Sequence, residues 1–256
     1  MSDLDRVRRD WEQWGRDDPL FAVYTKAGTE GGGWDVDEFL ASGQADVDGL
    51  VEQRRAAGVE FPAGPALDFG CGVGRLTSAL TRHFGEVHGV DISEPMLAQA
   101  RDLATRLDSQ PTFHVNHQPN LGLFEDGRFA FVLSLIVLQH MPQDIALGYV
   151  REFLRVLRPG GIAVFQIPEA HGSPERLLDE RRLSPSTRNR LVQLKARLLR
   201  RPAMEMHPIP AATVLDEVGR AGGRLRSLTP DRFAGSLCLS LTYAVEKVSE
   251  TESQRP

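Results

Sequence analysis

The sequence of 256 residues predicts an α/β fold in which helices cover both faces of a mainly parallel sheet. From residue 64 onward, short apolar segments alternate with helical patterns at the spacing of β-α-β units. The segment 129–135 has the apolar character of a strand that is buried on both faces. The segment 66–69 runs directly into a glycine-rich loop that opens a helix. These features predict a ligand-binding edge where the strands end.

Local signals give each element of this fold in order. Strands are predicted at 66–69, 87–90, 112–115, 129–135, 162–167, 224–228 and 237–245. Helices are predicted at 3–15, 35–57, 76–84, 95–107, 143–157 and 186–199, with one more after Pro210. Ser93 is a favourable N-cap and Pro95 fits a first helical turn, so the fourth helix starts there. The Pro-Gly-Gly segment at 159–161 ends the helix that precedes the fifth strand.

Composition excludes several classes of protein. The chain is 41% hydrophobic and 25% charged, which is typical of a globular protein rather than a disordered or fibrous one. Its two cysteines, Cys71 and Cys238, exclude a disulfide framework and a cysteine-based zinc site, and they fit a reducing cytoplasm. The longest apolar run, 129–138, is about half of what a bilayer requires. The charged N-terminus does not match a signal peptide. We therefore expect a cytoplasmic protein without a membrane partner.

The chain divides into five expected segments. These are an N-terminal helical cap or lid (1–60), a ligand-binding core (61–169), a basic helical insertion (170–208), a C-terminal helix with an antiparallel strand pair (209–246) and a disordered tail (247–256). The first segment holds all three tryptophans, so it either caps the core or closes over a substrate. The stretch from residue 175 to residue 201 contains nine basic residues and only three acidic ones. This insertion could meet an anionic substrate, a carrier-bound substrate or only solvent.

The glycine loop and one acidic residue predict a nucleoside-containing cofactor. Gly70, Gly72 and Gly74 let the backbone turn tightly, while the helix that follows supplies unpaired N–H groups. Asp91 ends the next strand, 19 residues after Gly72. A carboxylate at this position can accept hydrogen bonds from both ribose hydroxyls.

The spacing of the loop argues against two common cofactor classes. The dinucleotide pattern requires glycine or alanine where Arg75 stands, and no Gly-Lys-Ser/Thr sequence follows as in a phosphate-binding loop. Asp68 lies two residues before the first glycine. Its carboxylate suits a positively charged ligand better than a pyrophosphate.

Four segments in order resemble the motifs of class I S-adenosylmethionine-dependent methyltransferases. They are Leu-Asp-Phe-Gly-Cys-Gly-Val-Gly-Arg at 67–75, Gly-Val-Asp-Ile-Ser at 89–93, Leu-Gln-His-Met-Pro at 138–142 and Leu-Arg-Val-Leu-Arg-Pro-Gly-Gly at 154–161. The resemblance covers about residues 64–167. It implies a Rossmann-like sheet of seven strands that closes with an antiparallel pair. It also implies S-adenosyl-L-methionine as cofactor, S-adenosyl-L-homocysteine as product and no metal.

The resemblance also assigns residues to the cofactor. Asp68 would hold the methionine amino group, Asp91 the ribose diol and Ile92 the adenine. Asn116 stands where the family often places an acid that accepts from the adenine amino group, and its amide oxygen can accept the same bond. The full expected set is Asp68, Gly70, Cys71, Gly72, Gly74, Arg75, Asp91, Ile92, Met96, Asn116 and Ser134.

Methyl transfer depends on alignment more than on a base. Alignment supplies about 7–11 kcal/mol in favourable cases, and a general base adds about 3–5.5 kcal/mol. His140 is the candidate base, because it follows the fourth strand and an imidazole can take a proton at neutral pH. Candidate substrate contacts are Trp14, Phe21, Tyr24, Gln139 and His207, and the neighbouring Trp11 also suits a partly apolar acceptor.

The resulting hypothesis is methylation of a small molecule, with a hydroxyl of a natural product or sugar-containing metabolite as acceptor. One alternative is a methyltransferase that acts on RNA or protein. The net charge of −5 and the lack of a recognisable RNA-binding module argue against it. Another is a cyclase or binding protein of the same fold that does not methylate. We expect a small-molecule partner, no nucleic acid, and a monomer or homodimer.

Overall fold

A computed structural model describes residues 2–56, 58–59, 61–107, 110–171, 184–199, 201–235 and 238–249. The helices are α1 (Asp3–Asp17), α2 (Pro19–Val23), α3 (Val36–Ala56), α4 (Arg75–Leu80), α5 (Glu94–Arg106), α6 (Gln143–Val156), α7 (Pro185–Leu199) and α8 (Ala211–Arg220). The strands are β1 (Ala66–Phe69), β2 (Val87–Asp91), β3 (Thr112–Val115), β4 (Phe129–Ser134), β5 (Leu157–His171), β6 (Gly223–Asp231) and β7 (Cys238–Lys247). A short 3₁₀ turn occupies Leu138–His140.

The seven strands form one sheet in the order β3-β2-β1-β4-β5-β7-β6. The first five strands pair in parallel, and β7 lies antiparallel between β5 and β6. Every residue of β1 and β4 is buried, because helices cover both faces of the sheet. The predicted α/β fold with a closing antiparallel pair is confirmed.

Local details differ from the predictions at three places. The predicted third helix stops early, since α4 ends at Leu80 and separate turns follow it. The fifth strand is longer than predicted and begins at Leu157, where its register against β4 shifts. The short α2 was not predicted, because five residues are too few to give a helical period. It starts with Pro19 at its first position, which is where proline fits a helix.

The N-terminal helices lie over the carboxyl edge of the sheet. α1 packs closely on α5 because Gly15 has no side chain; a Cβ there would lie 3.1 Å from the Met96 backbone nitrogen. Two hydrogen bonds hold this contact: the Ser93 hydroxyl donates to the Trp11 carbonyl at 3.2 Å and Gln99 Nε2 donates to the Gly15 carbonyl at 3.2 Å. The expected cap is therefore docked on the core.

The helix described within the basic insertion is α7, which is bound to the loop that follows it and precedes α8. Asn189 makes two hydrogen bonds with the backbone of Met206, at 3.1 and 3.2 Å. Residues 172–183 of the insertion and 250–256 of the predicted tail lie outside the described residues. Among the helices described, none has both the length and the apolar character needed to cross a bilayer.

Candidate functional site

A cleft of about 850 Å³ lies at the carboxyl edge of the sheet, between the strand ends and the N-terminal helices. We call its strand side the floor, formed by Asp68, Phe69, Gly70, Cys71, Gly72, Arg75, Leu76, Val90, Asp91, Ile92 and Asn116. We call its helical side the roof, formed by Leu4, Val7, Trp11, Ala22 and Val23. Further lining residues are Leu135, Ile136, Val137, Met141 and Tyr149. The cleft thus joins a floor that contains carboxylates to an apolar roof.

The glycine loop requires glycine at the positions that the sequence singled out. Gly70 and Gly72 have φ values of +71° and +53°, in the left-handed region that side chains disfavour. A Cβ on Gly70 would lie 2.3 Å from Val137 Cγ1, and one on Gly72 would lie 2.5 Å from Val23 Cγ2. The loop is therefore enclosed between the roof and residues 135–137, which directly follow β4 and which we call the β4 exit. Neither glycine places a side chain in the cleft that it lines.

Asp91 connects the glycine loop to the end of β2. Its Oδ2 accepts from the Gly72 backbone N–H at 2.8 Å, and its Oδ1 accepts from the Ser93 N–H at 2.8 Å. Burial raises the pKa of this carboxyl above its ordinary value, while the hydrogen bonds from Ser93, Gly72 and Ile92 oppose the rise. These three bonds use three of the four lone pairs of the carboxylate, so one lone pair remains for a ligand.

Asp68 is a buried acid at the base of the cleft. Its Oδ2 accepts from the Thr77 hydroxyl at 2.6 Å. Burial raises the pKa of Asp68 to about 7, although the bond from Thr77 and the charge of Arg75 act in the opposite direction. A cationic ligand in the cleft would stabilise the ionised form of this acid.

Arg75 reaches the cleft, but its guanidinium is bound elsewhere. Nη1 donates to Asp46 at 2.6 Å and to the Ser42 hydroxyl at 3.2 Å, and both of these residues lie on α3. The guanidinium also lies over the Tyr24 ring, 4.5 Å from its centroid. Arg75 therefore ties α3 and the end of α2 to the glycine loop.

Three other predicted cofactor residues lie on the floor. Ile92 lines the cleft directly after Asp91. The Asn116 amide is already engaged, accepting from the Gln118 N–H at 3.0 Å and donating to the Asn120 carbonyl at 2.7 Å. Cys71 is buried, and burial raises the pKa of its thiol, so it is not a ready nucleophile.

Three more predicted cofactor residues do not line the cleft. Gly74 begins α4, and a Cβ there would meet the Phe113 ring at 3.1 Å, so it serves packing. Met96 is buried against Gly15, under α1. Ser134 is fully buried within β4, and its hydroxyl has no hydrogen-bond partner among the described residues. The motif spacing did not distinguish packing positions from lining positions.

The β4 exit contributes lining residues that the sequence analysis missed. Ile136 has φ +63°, a rare conformation for a β-branched residue, and lines the cleft. Its backbone N–H donates to Gln166 Oε1 at 3.0 Å. Gln166 is fully buried and donates to Ser240 Oγ at 2.7 Å and to Gln139 Oε1 at 3.2 Å. This neutral network fixes the strained turn beside the glycine loop.

His140 is placed beneath the cleft rather than on its wall. Nδ1 donates to the Glu205 carbonyl at 2.7 Å, and Nε2 lies 3.1 Å from Gln139 Nε2, from which it accepts. Burial lowers the pKa of His140 to about 4. The imidazole is therefore neutral at pH 7, and both of its nitrogens are engaged in hydrogen bonds. Its ring packs edge-on against the Trp11 ring, with 5.1 Å between the ring centroids. This geometry does not favour the predicted role as a base.

The predicted substrate residues do not line the cleft either. Trp14, Phe21 and Tyr24 pack in an aromatic cluster with Trp34 that supports the roof from behind. His207 Nε2 lies 2.9 Å from a Glu205 carboxylate oxygen, in the loop before α8. Gln139 is buried in the network under the β4 exit, as described above.

The roof residues that do line the cleft share one helix face. Leu4, Val7 and Trp11 occupy positions i, i+3 and i+7 of α1, so they point the same way. This spacing was visible in the sequence and is the signal that could have identified them. Among the described residues, no group of three or more His, Cys, Asp or Glu side chains is arranged to hold a metal ion.

Comparisons with known proteins agree with this arrangement. Residues 66–161 match a family model described as a methyltransferase domain. The ubiquinone biosynthesis O-methyltransferase of Xanthomonas campestris pv. campestris (strain B100) is 30% identical over 106 residues, which are 41% of this chain and 44% of that protein. The 2-methyl-6-phytyl-1,4-hydroquinone methyltransferase of Synechocystis sp. is 36% identical over 104 residues, which are 40% of this chain and 31% of that protein. The chain thus spans less than half the length of these relatives.

A solved structure extends the likeness over nearly the whole chain. The crystal structure of magnesium protoporphyrin IX methyltransferase from Synechocystis PCC 6803 with bound SAH has a TM-score of 0.64 against this protein. The match covers 96% of this chain and 100% of that chain, at 21% sequence identity. At this identity the likeness shows the shared fold.

Proposed function

We propose that this chain, a member of the class I S-adenosylmethionine-dependent methyltransferase family, transfers a methyl group to a hydroxyl of an apolar small molecule. The family membership predicted from four motifs is confirmed by the methyltransferase-domain match and by the seven-stranded sheet. The observation that carries the proposal is the cleft, in which Asp91 and the bare glycine loop face an apolar roof.

The floor has the chemistry that S-adenosyl-L-methionine requires. The remaining lone pair of Asp91 would accept from a ribose hydroxyl, and Ile92 would pack on the adenine. The bare backbone at Gly70 and Gly72 admits close approach of the methionine moiety. Asp68 would hold its ammonium group, whose charge would offset the burial of the carboxylate. Asn116 keeps one acceptor lone pair for the adenine amino group.

When bound, the cofactor supplies a methyl group on a positive sulfonium, which leaves as a neutral thioether. The protein aligns the acceptor oxygen with the methyl–sulfur bond, and this alignment is worth about 7–11 kcal/mol in favourable cases. Ile136 and Val137, which the buried Gln166 network holds in place, would lie on one side of the transferred methyl group. Leu4, Val7 and Trp11 of the roof exclude water from the other side.

The acceptor is proposed to be apolar because no ionisable side chain belongs to the roof. Met141 and the β4 exit extend the same apolar surface. Two relatives are named as a ubiquinone biosynthesis O-methyltransferase and a 2-methyl-6-phytyl-1,4-hydroquinone methyltransferase, and these names refer to compounds of this apolar character. A phenolic hydroxyl of a hydroquinone-like molecule fits this cleft better than a sugar, whose many hydroxyls would lose their hydrogen bonds to water.

The proton of the acceptor is proposed to leave without His140. The imidazole has both nitrogens engaged and is neutral, so it holds the β4 exit and Trp11 in place. A phenol ionises near pH 10, so about 0.1% of the acceptor is phenolate at pH 7, and its proton passes to bulk water before the acceptor enters the cleft. Alignment then supplies the larger part of the rate, as the sequence analysis expected.

The segment boundaries and the compartment belong to the same proposal. We retain the division into a cap (1–60), core (61–169), insertion (170–208), C-terminal part (209–246) and tail (247–256). Cys71 and Cys238 are both in the reduced thiol form, which supports a reducing compartment such as the cytoplasm. A small molecule is the proposed partner rather than RNA or protein, since the cleft wall is largely apolar and enclosed by the roof.

Two measurements test the function. Calorimetric titration with S-adenosylmethionine should give binding that Asp91→Asn weakens by about tenfold, or ~1.4 kcal/mol. Asp216→Asn, the same change on an exposed carboxylate of α8, should leave binding unchanged. Transfer of labelled methyl should be seen to a prenylated hydroquinone and not to its glucoside or to bulk RNA. Transfer to RNA alone, or binding without any transfer, would overturn the proposal.

A further inference from the structure

The face of α7 that points away from the protein is apolar. Leu191, Leu194 and Leu198 are 50%, 55% and 75% exposed. Their spacing of three and four residues places them on one side of the helix. Three large aliphatic side chains on one exposed face form a patch that soluble proteins normally bury.

The opposite face of α7, which meets the protein, mixes polar side chains with small apolar ones. Asn189 binds the backbone of Met206, and Gln193 Nε2 donates to the Glu205 carboxylate. Asn189 is buried, and Val192 and Gln193 are half-buried. The usual order of a surface helix, with its apolar side inward, is therefore reversed. An exposed row of leucines of this kind is typical of an interaction surface.

Basic residues flank the leucines on both sides. Arg190 and Arg197 lie four residues before and three residues after Leu194, and Lys195 lies four residues after Leu191. Residues 184–203 contain six basic side chains and no acidic one, in a chain whose net charge is −5. The charge on this helix is thus opposite to that of the whole protein.

We propose that α7 docks on the surface of a bilayer that contains anionic lipid. The leucines would enter the boundary between headgroups and acyl chains, while the arginines and lysine bind the anionic headgroups. The same stretch, 184–203, has no Phe, Tyr or Trp, the residues in which protein interfaces are enriched. The sequence analysis expected no membrane partner because the longest apolar run is too short to span a bilayer, but surface docking requires no span.

The docking helix is connected to the roof of the cleft. The Glu205 carboxylate accepts from Gln193 of α7 and lies 3.5 Å from Arg6 of α1, and the Glu205 carbonyl accepts from His140. A bilayer held by α7 would therefore lie close to the helix that closes the cleft. This step rests on the proposed function, because an apolar acceptor dissolves in the bilayer and would enter the cleft from there.

Vesicle sedimentation tests the docking without cofactor or acceptor, so its result is independent of methyl transfer. The full chain is mixed with vesicles of phosphatidylcholine alone or of equal parts phosphatidylcholine and phosphatidylglycerol. The test variant is Arg197→Glu with Leu198→Ser, in the last turn of α7. The matched control is Arg106→Glu with Leu107→Ser, an exposed basic and apolar pair at the end of α5.

The wild type and the control should sediment with the anionic vesicles and remain in solution with the neutral ones. The α7 variant should bind the anionic vesicles about tenfold more weakly. Circular dichroism and a melting curve check that both variants are folded. Three results would overturn the proposal: no binding to anionic vesicles, equal loss in both variants, or a dimer in solution that the α7 variant alone dissociates. The last result would assign the leucine face to a second copy of this chain.

Discussion

The floor and the roof of the cleft are built from different kinds of sequence. The floor consists of short strands and the glycine loop, and its carboxylates, Asp68 and Asp91, occupy fixed places in two of the four recognisable motifs. The roof comes from α1 and α2, which carry no motif and meet the cleft through apolar side chains. We therefore propose that the floor binds the cofactor, whereas the roof selects the acceptor.

The largest effect is expected in the floor, from Gly70→Ala. An added Cβ would lie 2.3 Å from Val137 Cγ1 and would be strained at φ +71°. Because valine is stiff at its first side-chain torsion, the loop would have to move, and we expect cofactor affinity to fall about 100-fold. Gly49→Ala on α3 is the matched control, since a Cβ there meets nothing within 4 Å. If calorimetry finds the same cofactor affinity for both variants, the close fit of Gly70 against Val137 is not required for cofactor binding.

The roof is tested by Trp11→Ala. Removing this indole from the cleft wall should raise the KM for the acceptor about 30-fold, or ~2 kcal/mol, because a large apolar contact is lost. Binding of S-adenosylhomocysteine should change little. Trp14→Leu is the control, since Trp14 lies on the same helix but not on the wall. Equal losses of cofactor and acceptor binding in Trp11→Ala would mean that floor and roof do not divide the two tasks.

The pH dependence of the floor is expected to follow Asp68. Burial raises its pKa from 3.8 to about 7, so the folded state holds this proton more tightly than the unfolded chain. The free energy of unfolding of the ligand-free protein should therefore decrease as pH rises from 3.8 to about 7 through this group. Asp68→Asn should flatten that slope in urea titrations and weaken cofactor binding about tenfold. If the slope is the same in Asp68→Asn as in the wild type, Asp68 is already ionised in the folded protein over this pH range, which would contradict the prediction.

Cofactor binding should also release a proton near neutral pH. An ammonium group beside Asp68 favours the carboxylate, so titrations in buffers of different ionisation enthalpy should give different apparent heats. The same comparison with Asp68→Asn should give heats that do not depend on the buffer.

The smallest effect is expected from His140→Gln. Both imidazole nitrogens are engaged and burial lowers the pKa of His140 to about 4, so kcat should fall less than about tenfold. A true base would cost about 100-fold or more. In the wild type the unfolded chain takes up this proton below pH 6.5, so His140 makes stability decrease from there to about pH 4. If the pH profile of kcat has an inflection near pH 6.5 that disappears in His140→Gln, His140 acts as a base after all.

The sequence predicted the floor better than the roof for a physical reason. Gly70, Gly72 and Asp91 act through backbone geometry and hydrogen bonds that are local in sequence or set by adjacent strands. Such features leave fixed spacings. The residues of the roof act through contacts across the cleft, and only the period of α1 marks them. Composition drew attention to Trp14 and Tyr24 instead, which support the roof from behind.

Residues inside the motifs were also harder to interpret than the motifs themselves. Arg75 and Gly74 belong to the glycine motif, yet Arg75 binds Asp46 and Gly74 packs against Phe113. Ile136 could not be predicted, because its left-handed backbone depends on Gln166, thirty residues later in the chain. Where a residue's role depends on a distant partner, spacing alone carries no information about it.

The most direct test of the division between floor and roof is a titration of three proteins with S-adenosylhomocysteine. The wild type, Asp91→Asn and Trp11→Ala would be compared under one condition by calorimetry. We expect the floor variant to bind about tenfold more weakly and the roof variant to bind like the wild type. Absent binding in the folded wild type, or a loss in Trp11→Ala as large as that in Asp91→Asn, would contradict the account.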